Sequence, residues 1–187
     1  MSIRIADGKG KNGDASVSSV QRLNVSAKTG PRYFYASRDF GLSFNAVYDS
    51  QTVAAGEYSA YIKNDSTTRN MFINHIEFHS VENVKWKVWE VSGTAASGET
   101  VTPSNLNLAS GIPAEATSMA GDTAITGLTQ VKQIGSHRSE ALSDSSMDYE
   151  GALILGPGKA IAIEYDTGTT GICSHDIFFW YEDIGAA

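Results

Sequence analysis

The sequence predicts an all-β fold, an antiparallel β-sandwich of jelly-roll type, on three observations. Apolar and polar residues alternate with a period of two through much of the chain. The alternating runs are separated by clusters of Gly, Pro, Asn, Asp, Ser and Thr, the residues that turns require. No stretch carries an apolar period of 3.6 over the length of an ordinary helix. The 187 residues suit one domain of this kind, and the lack of a fixed repeat argues against a solenoid or propeller.

Residues 1–19 read as an extended or flexible arm and residues 20–187 as the single sandwich domain. Ile3 and Ile5 alternate in a short extended piece, and Val17 is the sole large apolar residue of 7–19. These three residues are the interface candidates. Strands are expected at Val20–Val25 and Arg32–Ala36, divided by the turn residues Lys28-Thr29-Gly30-Pro31. Leu42–Tyr48 and Glu57–Lys63 alternate next, and Asn64–Thr68 is a strong turn cluster. Asn70–His79 begins apolar on both faces, as in a central strand, and then alternates. Val84–Val91 places Val84, Trp86 and Val88 on one face and Lys85 and Lys87 on the other. A hairpin across Ser80-Val81-Glu82-Asn83 would join these two strands.

The middle of the chain is read as Ser92–Gly98 loop, Thr100–Leu108 extended, and at most one helical turn near Pro113–Met119. Short strands follow at Ala124–Leu128 and Thr129–Ile134, with Ser136–Glu140 as a polar loop. Firm strand signals return at Ala152–Leu155, Ala160–Tyr165 and Ile172–Tyr181. Gly156-Pro157-Gly158 reads as a hairpin turn and Thr167–Gly171 as a Gly-rich turn. Adjacent aromatics on a strand face opposite sides, so part of Phe178-Phe179-Trp180-Tyr181 must leave the core. Such outward rings suit a subunit interface or a glycan platform, and the scarcity of charges around them favours the interface.

Hydrophobic residues make up 41% and charged ones 19%, so the chain has the apolar content to fold. Its net charge is −7, and its Lys and Arg are scattered, which argues against a nucleic-acid partner. No run approaches the ~20 apolar residues that span a bilayer, and no secretory h-region is visible. The single cysteine, Cys173, allows no internal disulfide. It shares a strand face with His175, the geometry a thiol nucleophile would need, but its apolar context favours an inert buried thiol.

The sequence commits to no catalytic residue, no cofactor and no metal. His75, Glu77 and His79 are the candidates whose spacing would suit a metal, since all three project from one face of a strand. The cupin pattern they superficially resemble needs a downstream Glu and a second His motif, both missing. Asp39, Glu77, Glu90 and Glu164 sit beside aromatics, which leaves a glycosidase pair open, since the separation of such carboxylates is three-dimensional, but any strand edge looks the same. No nucleophile elbow is present.

Three motifs together carry a family resemblance: Ala60-Tyr61-Ile62-Lys63-Asn64 with Arg69-Asn70-Met71-Phe72-Ile73; Gly93-Thr94 through Val101-Thr102-Pro103-Ser104-Asn105-Leu106-Asn107; and Leu153 through Tyr165. They resemble small virion proteins of tailed bacteriophages, of the kind that decorate or cement the capsid. The resemblance implies a β-sandwich homo-oligomer, often a trimer. It would be made in the host cytoplasm, sit on the capsid surface and bind the major capsid protein or other virion proteins. It also leaves open a head-to-tail, tail or fibre component. A carbohydrate-binding module and a cupin-like metal enzyme are the alternatives from other classes.

Overall fold

The computed structural model describes residues 31–184 and the backbone of two short strands, β1 (Ile3–Ala6) and β2 (Asn12–Ala15). A nine-residue helix, α1 (Arg32–Phe40), opens the main body. Then come β3 (Ser43–Val53), β4 (Tyr58–Asn64), β5 (Arg69–Ser80) and β6 (Val84–Ala96). Three short strands follow: β7 (Glu99–Thr100), β8 (Ser104–Asn105) and β9 (Ala116–Ala120). Four longer ones complete the chain: β10 (Thr126–Ser139), β11 (Ser143–Leu155), β12 (Ala160–Asp166) and β13 (Gly171–Asp183).

Two antiparallel sheets face each other, one ordered β10-β6-β12-β4-β9-β7 and the other β11-β5-β13-β3-β8. Among the eight long strands, every connection except β6 to β10 crosses from one sheet to the other. That interleaving is the double Greek key of a jelly roll, so the predicted fold class holds. Inward residues of both sheets make one core, which includes Phe44, Tyr48, Ile62, Met71, Ile76, Phe78, Trp86, Ile163, Tyr165, Ile177 and Phe179. Phe78 and Trp86 stack across it with ring centroids 5.4 Å apart. Asn64 secures one end: its amide donates to Leu155 O at 2.8 Å and Arg69 O at 2.9 Å, while its oxygen accepts from Ser66 N at 3.0 Å.

Several local expectations are corrected. Arg32–Ala36 is helical, because Gly41 ends a single surface turn system, its N–H reaching Ser37 O at 2.9 Å, and only Ala36 is buried. β5 and β6 form no hairpin; they lie in opposite sheets, and Ser80–Asn83 arches between them. Gly156–Gly158 likewise passes from one sheet to the other, closed by a Lys159 N–H to Gly156 O bond of 3.0 Å. Alternation reveals a strand's inward side but not which sheet it joins. Residues 92–96 continue β6, Pro113–Met119 runs into β9 and holds no helical turn, and Ser136–Ser139 ends the long strand β10. The expected strand at Val20–Val25 lies outside the described residues, as does Val17.

β6 runs so far because its distal half folds back with β10. Gly93 and Gly127 both have positive φ (99° and 77°), and a Cβ on either would strike the backbone of the opposite strand. The bent ribbon lays Ala95, Ile125 and Leu128 against Tyr61, Val91, Ala160 and Ala162, a second apolar cluster outside the main core.

Candidate interaction surfaces

The candidate catalytic groups are committed to structure. Cys173 is fully buried, and burial pushes its thiol up to about 12, far from a thiolate at neutral pH. His175 shares its inward face, as the alternation predicts, but its Nε2 lies 2.8 Å from Ser59 Oγ, which itself donates to Ile163 O at 3.1 Å. Burial lowers His175 to about 3, so the ring is neutral in the folded protein. His137, expected in a polar loop, stacks on Phe78 at 5.7 Å, and Ser139 accepts the Trp86 indole N–H at 2.8 Å.

The four carboxylates beside aromatics stand apart. Asp39 meets Arg38 on α1 at 2.7 Å, Glu90 meets Lys159 at 3.2 Å, and Glu77 lies on the outward face of the five-stranded sheet. Glu164 is 8% exposed on the outward face of the other sheet, where it accepts from Lys87 (2.9 Å), the Trp89 indole (2.6 Å) and Gln130 (3.2 Å). No pair of them flanks a common cleft.

His75, Glu77 and His79 do project from one face, the outward side of β5. They do not converge: His75 Nε2 lies 3.3 Å from Glu77 Oε1, whereas His79 Nδ1 is 2.9 Å from Asp144 Oδ1 on β11. His75 also stacks on Phe178 at 4.2 Å. Among the described residues no group of three His, Cys, Asp or Glu is placed to hold a metal.

This face instead forms a trough of about 490 Å³ lined by Val47, Asp49, Glu77, His79, Asp144, Ser174 and Asp176, with no Lys or Arg along it. Burial, then the nearby Glu77 charge, raises the pKa of Asp176. At the far end Trp180 points outward, as the strand pattern requires, yet is only 3% exposed. Phe72 stacks on it at 5.4 Å, Tyr33 of α1 lies 6.4 Å away, and Gly151 of β11 drapes over its ring. Of the outward aromatics of this strand, Trp180 is therefore sheltered by its own chain.

Exposed apolar side chains gather elsewhere. The 105–112 segment is tied to the end of α1 by Asn107 Nδ2 to Ser37 O (2.9 Å) and Asn105 Nδ2 to Gly41 O (2.7 Å). Phe40, Leu106, Leu108 and Ile112 are all exposed here, Leu108 by 94%. Exposed apolar side chains on a tied-down segment suit a contact surface. It escaped sequence reading because Leu106 and Leu108 alternate as an inward strand face would.

Two short strands are described within the arm. β1 and β2 form a separate antiparallel pair, with Ile3 opposite Ala15 and Ile5 opposite Gly13, and they join neither sheet of the sandwich. No protein-family profile, curated protein or solved structure matches the chain.

Proposed function

We propose that the chain is a non-enzymatic structural protein of a tailed-phage virion, binding and stabilising the capsid as a decoration or cement subunit. The observation that carries this reading is the β1–β2 pair, which hydrogen-bonds to neither sheet of the sandwich. An isolated two-stranded hairpin is marginal in water and gains stability only by docking on a further surface. Charge supports an acidic body serving as that surface, in a neighbouring copy or in another acidic virion protein. Residues 1–30 hold five Lys or Arg against two Asp or Glu, while the rest of the chain holds nine against nineteen. An extended arm can also add main-chain hydrogen bonds to a neighbour's sheet edge.

The exposed patch around Leu108 supplies a second contact, apolar enough to face protein in an assembled particle. The burial of Cys173 and the Ser59–His175 pair weighs against nucleophilic catalysis. Removing residues 1–19 is expected to leave the sandwich folded, with unchanged far-ultraviolet circular dichroism, and to abolish co-sedimentation with assembled capsids. Full retention of capsid binding by the truncated chain would defeat this reading. Co-fractionation with tails alone would move the protein to the head-to-tail, tail or fibre role.

A further inference from the structure

We propose that β10 and β11 are a matched pair of docking edges through which two copies of this chain join, β10 of each pairing antiparallel with β11 of the other. Both strands end their sheets, so each has one strand neighbour and an open outer edge among the described residues. They are long, 14 and 13 residues, and exposed along their outward side, while Ile134, Met147, Tyr149 and Leu153 pack partly against the core and only Ser139 and Leu155 are buried. Long open edges are templates for another strand and are normally blunted by charge.

Here the charges are divided. β10 carries Lys132, His137 and Arg138 and no acid, whereas β11 carries Asp144, Asp148 and Glu150 and no base. Each edge therefore repels its own kind and attracts the other, which selects β10–β11 pairing over β10–β10 or β11–β11. Val131 on β10 and Ile154 on β11 add exposed apolar surface along the same side of the sandwich.

Geometry closes the contact. Within one copy the chain reverses between the two strands at Glu140–Leu142, with one strand in each sheet. A twofold axis parallel to the strands then sets β10 beside β11 of the second copy at both levels, antiparallel, and continues each sheet into the other copy. The bulge-free segments are Gly135–Ser139 and Ser143–Asp148. Setting Arg138 opposite Asp144 of the second copy brings His137 opposite Ser145. His137 Nε2 and Ser145 Oγ are both buried polar atoms without a hydrogen-bond partner in the single chain. Both atoms are enclosed within the single chain, so they lie behind the contact and the charge pairs set its register.

This contact stands independently of the capsid reading and is tested on the purified full chain. The wild type is expected to show twice the 20.0 kDa chain mass in sedimentation or light scattering. Lys132→Glu with Arg138→Glu, and separately Asp144→Lys with Asp148→Lys, should each weaken self-association by more than about a hundredfold. Mixing the two variants should restore the dimer, because both of its contacts then join opposite charges. Ser136→Cys with Ser146→Cys should cross-link between copies under a mild oxidant, while native Cys173 stays buried. A monomeric wild type, a trimer, or a dimer indifferent to charge reversal overturns the proposal. So does a dimer lost only when residues 1–30 are removed, which would assign the contact to the arm.

Discussion

On the outward face of the six-stranded sheet, Tyr61, Val91, Ala160 and Ala162 lie beneath Ile125 and Leu128, and Glu164 is drawn into the same cover beside Lys87 and Trp89. On the outward face of the five-stranded sheet, Asp49, Glu77, Asp144 and Asp176 line an open trough. Both faces arise from the same alternation on opposite sides of a shared core. They differ because the β6–β10 ribbon bends back over one sheet at Gly93 and Gly127, while among the described residues nothing comparable crosses the middle of the other. A charged group on the covered face must be fully partnered, whereas an exposed one on the open face, such as Asp144, can rely on water.

The interior between the faces sets the reference and should give the largest effect. An unfolded chain takes up the His175 proton near the ordinary 6.5, but the folded chain does so only near 3. Between those values the unfolded state binds more protons, so stability falls as pH drops across the window, by at most about 5 kcal/mol. Urea unfolding at several pH values would show this, and a His175→Gln variant should have a flatter profile. Equal slopes for the two proteins would mean that another group dominates.

Glu164→Ala breaks the covered face. It strips the Trp89 indole of its acceptor and leaves Lys87 only Asp166, 2.9 Å away. The loss should be about 2–3 kcal/mol, from hydrogen bonds to a charged acceptor at a buried site. A thermal melt indistinguishable from wild type would show that water substitutes freely there, and the contrast between the faces would lapse.

Asp176→Asn sharpens the contrast from the open side and should give the smallest change. One carboxylate oxygen of Asp176 has no hydrogen-bond partner, and burial together with Glu77 disfavours its charge. Its raised pKa means that ionisation costs folded-state stability as pH rises through the carboxylate range. Removing the charge should stabilise the protein at neutral pH by up to about 1 kcal/mol. A clear destabilisation would assign Asp176 a bond that matters to the fold.

Much of the sandwich was legible residue by residue. Val84, Trp86 and Val88 alternate with Lys85 and Lys87, and the inward residues are indeed the apolar ones. Asn64–Thr68 makes the turn its composition demands. The surfaces were less legible. Alternation required part of Phe178-Phe179-Trp180-Tyr181 to face outward but did not say which, and the packing of Phe72, Tyr33 and Gly151 shelters the outward Trp180. β11 hid behind Ser143-Asp144-Ser145-Ser146, because an edge strand wet on most positions lacks the apolar alternation by which strands are recognised.

What the sequence determined by itself is the local geometry of the apolar strands: where they extend and which side of each is apolar. Those properties follow from backbone sterics and side-chain alternation within a few residues. The tertiary structure alone decided the rest. It placed β5 and β6 in opposite sheets and folded the Gly93–Gly127 ribbon over one face. It also brought β10 and β11 to the same flank with opposite charge. These depend on contacts between residues far apart in the chain, and such contacts are chosen by how the whole core closes.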